Sequence, residues 1–233
     1  MSREPARIIV DREEFEQAAA GWIASAINRT VEREGRCSIA LAGGSTPRPV
    51  YWALTQDPFR GAVRWERLWV YFGDERAVPP DHPDSNFGAA SEALLKHVAI
   101  PETQVFRMEA ERPDREAAAD QYARLLPERL DVLILGMGPD GHTASLFPGA
   151  PAVEERQRRV VPVTGPKPPA ARLTITPPVI AAARQTAVLV TGADKAAAVA
   201  RVLQGPLSLR ELPAQIARDG TWILDRAAAA GLA

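Results

Sequence analysis

The sequence predicts an α/β protein with a mostly parallel sheet and helices on both faces. Short apolar segments alternate along the chain with longer segments of helical periodicity, which is typical of strands connected by crossover helices. Several short segments are apolar without interruption, such as VLIL at residues 132–135. Such runs indicate strands that are buried on both faces, as the strands of parallel sheets are.

Seven strands and six helices are predicted from these patterns. The strands are residues 7–10, 37–42, 67–72, 131–136, 172–176, 186–191 and 221–224. The helices are residues 11–33, 47–55, 85–97, 114–126, 178–183 and 195–203. Asp11 and Glu14 have the spacing of a capping box at the start of the first helix. The proline-rich segment 162–169 is predicted to be a surface loop near the functional site.

Length and composition predict one α/β domain over residues 1–233. The hydrophobic fraction of 46% and the charged fraction of 24% are ordinary for a globular protein. The net charge of −1 argues against nucleic-acid and anionic-membrane partners. The N-terminal MSREP lacks the apolar region of a secretory signal, and no apolar stretch reaches membrane-spanning length, so a cytoplasmic location is expected. Cys37 is the only cysteine and is predicted to be a buried thiol.

The turn after the second strand predicts a phosphate-binding loop. Gly43 and Gly44 allow the backbone to approach a ligand closely, and Pro47 suits the first position of a helix. Ser45 and Thr46 then lie at the N-terminus of that helix, where free N–H groups and the helix dipole favour an anion. A tight turn with an N-cap would use the same residues and remains the alternative.

Three charged residues, Asp74, Glu75 and Arg76, follow the third strand directly. Charges at the end of a buried strand must find partners or contact a ligand, so these side chains are candidate site residues. A solvated loop with an Asp–Arg surface pair is the alternative. Further along, Ser85 is predicted to cap the next helix.

The segment 136–149, GMGPDGHTASLFPG, contains the candidate catalytic residue His142, with Asp140 two positions earlier. An imidazole titrates near neutrality, and a neighbouring carboxylate can fix its tautomer, so His142 is a candidate general base. A histidine that only caps the following helix is the alternative. A dinucleotide fingerprint is disfavoured, because Pro139 and Asp140 stand where a helix should open toward a third glycine.

Two more basic residues lie next to predicted element boundaries. Arg172 begins the strand 172–176, and Lys195 begins the helix 195–203. A lysine in the first helical turn opposes the helix dipole, at a cost of about a few tenths of a kcal/mol unless an anion lies nearby. Lys195 is therefore a candidate phosphate ligand, with a surface lysine as the alternative, and Arg172 is a second candidate.

Taken together, these motifs resemble those of 6-phosphogluconolactonases, in order, from about residue 8 to residue 224. The matching segments are LAGGSTP at 41–47, FGDERAVP at 72–79 with SN at 85–86, LGMGPDGHTASLFP at 135–148 and RLTITP at 172–177. The resemblance implies a Rossmann-like sheet and the hydrolysis of 6-phosphoglucono-1,5-lactone, a step of the oxidative pentose phosphate pathway. It implies no metal or other cofactor, and no obligate protein partner is evident.

Two other functions remain open beside the lactonase. Glucosamine-6-phosphate deaminases are similar around the glycine loop and the Asp-Gly-His turn, but they have an aromatic residue where Arg76 stands and continue differently after the histidine. A non-catalytic sugar-phosphate sensor could use the same fold. Such sensors usually accompany a DNA-binding segment, and the sequence contains no helix-turn-helix pattern or basic extension.

Overall fold

A computed structural model describes residues 6–233, so MSREP, the segment in which no secretory signal is predicted, lies outside the described residues. The strands are β1 (Ala6–Val10), β2 (Cys37–Leu41), β3 (Leu68–Phe72), β4 (Asp74–Arg76), β5 (Val132–Gly136), β6 (Val160–Thr164), β7 (Ala171–Ile175), β8 (Gln185–Val190) and β9 (Thr221–Asp225). The α-helices are α1 (Phe15–Glu34), α2 (Pro47–Leu54), α3 (Phe59–Ala62), α4 (Asn86–Ala93), α5 (Arg115–Leu125), α6 (Pro177–Ala182), α7 (Ala196–Gln204) and α8 (Arg226–Ala229). Over these residues, no helix combines the length and the hydropathy needed to cross a bilayer.

Six strands form a parallel sheet in the order β1-β9-β8-β5-β2-β3. Alternate residues of its central strands belong to two different cores. In β5, Val132 and Ile134 pack with α1, α2 and α4, whereas Leu133 and Leu135 pack with α5, α6 and α7. The predicted α/β class, with a mostly parallel sheet and helices on both faces, is therefore confirmed. Cys37 is buried as predicted, and burial raises the pKa of its thiol to about 12.

A second sheet, of three antiparallel strands in the order β4-β7-β6, is absent from the sequence prediction. The predicted strand 172–176 corresponds to β7 of this sheet and not to a strand of the parallel one. The charged residues after β3 form the short strand β4 and not a loop, because they pair with β7. The predicted loop at 162–169 is wrong for residues 162–164, which belong to β6, while residues 165–170 do form a loop.

The predicted capping box at the first helix is wrong. Asp11 makes no side-chain cap hydrogen bond, and its carboxylate accepts one from Arg226 instead. Residues Arg12–Glu14 form a single 3₁₀ turn, and α1 begins after it, at Phe15. The cap at Ser85 is confirmed, since its Oγ accepts a hydrogen bond from the Gly88 N–H at 3.0 Å.

Two buried tyrosines bind the backbone at the carboxyl ends of neighbouring strands. The Tyr51 hydroxyl, from α2, accepts from the Ala42 N–H at 2.9 Å and donates to the Ala42 carbonyl at 2.8 Å. The Tyr122 hydroxyl, from α5, makes the same pair of bonds with Phe72, at 2.7 and 3.1 Å. Each phenol thus fixes the residue from which a site loop departs.

Candidate active site

A cavity of about 190 Å³ lies at the carboxyl ends of β2, β5 and β8. The chain leaves β2 toward α2 on one face of the sheet, and after β5 it enters the core on the opposite face. Neighbouring strands whose connections diverge in this way leave a crevice between their loops. Open α/β sheets bind ligands at this switch point, so the cavity is the candidate active site.

The cavity brings together nine of the ten predicted site residues, although they are up to about 150 positions apart in the chain. They are Gly43, Gly44, Ser45, Thr46, Asp74, Arg76, His142, Arg172 and Lys195. The tenth, Asp140, does not line the cavity but contacts His142. The structure also places Asn86 in the wall, a residue that is not among the ten predicted site residues.

The imidazole of His142 is held by Asp140. Its Nδ1 lies 2.6 Å from Asp140 Oδ1, which also accepts a hydrogen bond from the His142 N–H at 3.1 Å. Because a carboxylate only accepts, Nδ1 carries the hydrogen, which leaves Nε2 of the neutral ring as a proton acceptor. Burial alone would raise the pKa of Asp140, but the charge and the hydrogen bonds of His142 outweigh it and lower that pKa.

Gly138 leaves the space that this imidazole occupies. A Cβ atom at position 138 would lie 2.1 Å from two ring atoms of His142 and 2.7 Å from Asp140 Oδ1. Phe147 contacts the same ring, with the two centroids 4.9 Å apart. The ring is therefore confined between backbone and an aromatic side chain, so the pair with Asp140 is a fixed arrangement.

The loop 43–47 has the features expected of an anion-binding turn. Gly44 has a φ of 100°, which favours glycine, and Pro47 occupies the first turn of α2. Thr46 makes no side-chain cap bond, and its Oγ1 lies instead 3.1 Å from Thr191 Oγ1. The side chain of Thr46 therefore does not occupy the N–H groups at the start of α2, as it would in the alternative with an N-cap.

Arg172 and Lys195 bring positive charge to the same cavity. The guanidinium of Arg172 lies over the Phe147 ring and donates to the Pro169 carbonyl at 3.1 Å. Burial and the nearby charge of Arg76 lower the pKa of Arg172, against the effect of Asp74. Lys195 Nζ lies 2.8 Å from the exposed carboxylate of Asp194, and its hydrogen bond lowers the pKa of that acid.

Asp74 and Glu75 point in different directions and have different partners. Asp74 is 7% exposed and lines the cavity, with Oδ2 accepting from Ser145 Oγ at 2.6 Å. Glu75 is 2% exposed and accepts from the backbone N–H groups of Asn86 and Phe87 at the start of α4. Glu75 thus satisfies a helix N-terminus, whereas Asp74 presents a buried carboxylate beside the cavity.

Arg76 extends into the cavity from the short strand β4. Its backbone N–H donates to Glu75 at 2.8 Å, and one terminal nitrogen donates to the Asp84 carbonyl. Its Nε is buried and has no hydrogen-bond partner among residues 6–233. The predicted alternative, an Asp–Arg surface pair, does not form within this range, since the carboxylate of Asp74 contacts Ser145 and Asn86.

Asn86 is a buried part of the site that the sequence patterns do not single out. Its Nδ2 donates to the Asp74 carbonyl at 2.9 Å and to Asp74 Oδ1 at 3.1 Å. The amide also fills the space beside Gly43, where a Cβ would lie 1.8 Å from Asn86 Oδ1. Gly43 is therefore needed to admit Asn86, which in turn orients Asp74. In the sequence, the only signal for this role of Asn86 is an SN pair that follows a carboxylate at a strand end.

Replacing Gly43 with alanine is expected to lower the free energy of unfolding by about 1–3 kcal/mol, because the methyl group displaces the Asn86 amide from Asp74. The Gly43→Ala/Asn86→Ala double variant should be more stable than the sum of the single effects predicts, since the clash is then removed. Urea unfolding of the four proteins measures this coupling. Gly73→Ala is the control, because its methyl group meets only contacts of 3.8 Å or more. Additive single effects would contradict the proposed fit.

No group of three or more His, Cys, Asp or Glu side chains in the described range is arranged to hold a metal ion. The polar groups that line the cavity are hydroxyls, an amide, a carboxylate, an imidazole and three cations. This combination is suited to binding an anionic, polyhydroxylated ligand and to moving a proton near it.

Comparisons with known proteins agree with this geometry. Residues 10–224 match the family described as glucosamine-6-phosphate isomerases/6-phosphogluconolactonase. A 6-phosphogluconolactonase of Streptomyces coelicolor is 40% identical over 95% of this chain and 92% of its own length. The structure of the Trypanosoma brucei 6-phosphogluconolactonase superposes with a TM-score of 0.84 at 32% identity, over 98% of this chain and 99% of that one.

A monomeric glucosamine-6-phosphate deaminase has a similar structure, with a TM-score of 0.86 over 97% of this chain and 99% of that one. Its identity is only 24%, so this likeness shows the shared fold alone. The family match covers most of the chain, and the more similar relatives extend over nearly its whole length. The chain belongs to the family of glucosamine-6-phosphate isomerases and 6-phosphogluconolactonases.

Proposed function

We propose that this protein is a 6-phosphogluconolactonase, which hydrolyses 6-phosphoglucono-1,5-lactone to 6-phosphogluconate. The observation that carries the proposal is the imidazole of His142, which contacts Asp140 at 2.6 Å and lines a cavity together with three cationic side chains. The relatives from Streptomyces coelicolor and Trypanosoma brucei, both 6-phosphogluconolactonases, support the lactone as substrate. Arg76 favours the lactonase over the deaminase, where the resemblance implies an aromatic residue.

The phosphate group of the substrate is proposed to bind near Lys195, Arg172 and the loop 43–47. A phosphate accepts charge-assisted hydrogen bonds from guanidinium and ammonium groups, and α2 directs its N-terminus toward the cavity. Lys195 Nζ donates to Asp194, and its ammonium group has two further N–H donors for the phosphate. The contact with Asp194 is on the protein surface and therefore contributes little to stability.

The chemical step is proposed to begin at Nε2 of His142. This atom removes a proton from water as the water oxygen bonds to the lactone carbonyl carbon. The carbonyl oxygen becomes an anion, which the guanidinium of Arg76 stabilises. The bond between that carbon and the ring oxygen then breaks: the ring oxygen takes up one proton and becomes a hydroxyl, the acid that forms releases one proton to solvent and becomes the carboxylate, and His142 returns to its neutral form. Asp140 keeps the ring in the required tautomer and stabilises the imidazolium.

Replacing Lys195 with alanine is expected to raise KM about 10- to 100-fold with little change in kcat. The lost charge-assisted bond contributes about 1.5–3 kcal/mol to the ground state and the transition state alike. Steady-state assays of lactone hydrolysis measure both constants. Lys96→Ala is the matched control, because Lys96 pairs with Glu92 on the surface, outside the cavity. An unchanged KM, together with unchanged affinity for 6-phosphogluconate, would remove Lys195 from the proposed site.

The proposed function is tested by following acid release from freshly prepared 6-phosphogluconolactone against its spontaneous hydrolysis. The purified protein should accelerate acid release, and it should release no ammonia from glucosamine 6-phosphate. Ammonia release without lactone hydrolysis would identify a deaminase. Binding of either sugar phosphate without any turnover would instead identify a sensor.

A further inference from the structure

A second cleft, of about 560 Å³, lies at the edge of the parallel sheet opposite the candidate active site. We call it the amino-end cleft, because residues at the amino ends of β2, β3 and β5 line it. Its walls include Arg36, Trp69, Tyr71, Phe106, Arg129 and Arg184. The volume is in the range of small-molecule binding sites. No step of the proposed lactone hydrolysis uses it.

The cleft presents aromatic rings that other side chains hold in place. Trp69 and Tyr71 are two positions apart in β3, so their side chains lie on the same face of this edge strand. Tyr71 is stacked on Phe106, with centroids 4.9 Å apart and an angle of 11° between the ring planes. The guanidinium of Arg36 lies 5.5 Å from the centroid of Trp69. Half-exposed indole and phenyl rings in a cleft are suited to stacking against a flat ring.

Three arginines and three carboxylates line the amino-end cleft, and two of the arginines have no carboxylate partner. Arg184 lies 3.4 Å from Asp131 and 3.6 Å from Glu34, so these three groups neutralise one another in part. Arg36 and Arg129 have no carboxylate within 4.0 Å among residues 6–233, and the Nε of Arg129 donates to a backbone carbonyl.

The carboxylates of the cleft are not paired with these two cations. Asp131 accepts two further hydrogen bonds from Ser38, and Glu128 is exposed at the rim. Arg36 and Arg129 thus form no ion pair in the described range, although the six charges of the cleft sum to zero. Guanidinium groups of this kind bind phosphate through paired N–H donors.

Tyr71 adds a hydrogen-bond donor to the cleft wall. The residue is only 5% exposed, and its hydroxyl has no hydrogen-bond partner among the described residues. Burial raises the pKa of Tyr71, against a smaller effect of Arg36, so the phenol stays protonated at neutral pH. The hydroxyl oxygen itself is not fully buried, so water or a ligand in the cleft can accept its hydrogen bond.

We propose that the amino-end cleft binds a nucleoside monophosphate. The flat base stacks on the aromatic wall formed by Trp69 and Phe106, and the phosphate is bound by Arg36 and Arg129. The Tyr71 hydroxyl donates to a polar atom of the same ligand. The site is separate from the candidate active site and does not depend on its substrate.

The test is isothermal titration calorimetry of the full chain with the adenosine, guanosine, cytidine and uridine monophosphates. At least one should bind ten-fold or more tightly than both adenosine, which lacks the anion, and ribose 5-phosphate, which lacks the base. The Arg36→Gln/Arg129→Gln variant should weaken that binding at least ten-fold, and Tyr71→Phe should weaken it measurably. Both variants change groups outside the catalytic cavity and should retain parental lactone hydrolysis.

Lys195→Ala is the control for phosphate binding in the candidate active site, and it should leave nucleotide affinity unchanged. The proposal is overturned if none of the four nucleotides releases or absorbs heat at millimolar concentration. It is also overturned if ribose 5-phosphate binds as tightly as the nucleotides, or if the cleft variants bind like the parent. Loss of nucleotide binding in Lys195→Ala alone would assign the binding to the active site and overturn it too.

Discussion

Replacing His142 with alanine is expected to lower kcat for lactone hydrolysis by about 10²- to 10⁴-fold, the range for loss of one general base. Water is a poor nucleophile at neutral pH, and Nε2 of His142 is the proton acceptor that its contact with Asp140 leaves free. KM should change little, because the proposed phosphate contacts lie elsewhere in the cavity. Steady-state kinetics, with spontaneous hydrolysis subtracted at each pH, measures both effects.

The pH profile gives a second test of the same role. Burial raises the pKa of Asp140, but the charge and the hydrogen bonds of His142 outweigh it and lower that pKa, so the carboxylate stays ionised at mildly acidic pH. The contact of Asp140 with Nδ1 should therefore persist in a pH profile down to mildly acidic pH, and Asp140→Asn should lower kcat because a neutral amide replaces the anionic acceptor at Nδ1. If His142→Ala retains more than about a tenth of kcat, the base lies elsewhere, and Asp74 becomes the next candidate.

Replacing Gly138 with alanine is expected to lower kcat nearly as much as loss of His142, about 10²-fold or more. The new methyl group would lie 2.1 Å from the imidazole and 2.7 Å from Asp140 Oδ1, so the ring and the carboxylate cannot both keep their places. Phe147 also contacts the ring, with the two centroids 4.9 Å apart, and limits its movement. A displacement of about 1 Å in a catalytic group is enough for such a loss.

Gly73→Ala is the control for Gly138→Ala, because it adds the same methyl group at another strand end. There the methyl group would meet its neighbours only at van der Waals distance, 3.8 Å or more. Circular dichroism and the urea midpoint distinguish a misplaced imidazole from a misfolded chain. The expected result for Gly138→Ala is a folded protein with a low kcat and nearly parental affinity for 6-phosphogluconate. Parental kcat in this variant would show that the ring position seen here is not the reactive one.

The parallel sheet and most of the site are predictable from sequence because their signals are local. A buried strand such as β5 is a continuous apolar run, and the residues that follow it must reach the ligand edge of a parallel sheet. His142 and Asp140 are two positions apart, so their pairing needs only a tight turn. Lys195 is likewise placed by the single strand that precedes it.

The rest of the structure depends on contacts between distant segments. The strand β4 consists of three charged residues, and only pairing with β7, about 100 positions later, makes it a strand. The strand β6 is not predicted, because it contains Pro162 and a proline in an apolar run argues against a strand. The role of Asn86 depends on the absence of a side chain at Gly43, 43 positions earlier. A contact between residues so far apart produces no periodic pattern in the sequence and cannot be predicted from one.

The phenols of Tyr51 and Tyr122 make the fold sensitive to alkali. Burial raises the pKa of both hydroxyls, against the hydrogen bonds that each makes with the backbone. The unfolded chain releases these protons near the ordinary tyrosine value of about 10, whereas the folded chain retains them. The unfolded state then binds fewer protons, so the free energy of unfolding falls as the pH rises above about 10. Urea midpoints at about pH 8 and about pH 11 should show this fall, and a Tyr122→Phe variant should show a smaller one. The strand ends that position the catalytic loops are thus stabilised by protons that a sufficiently basic solution removes.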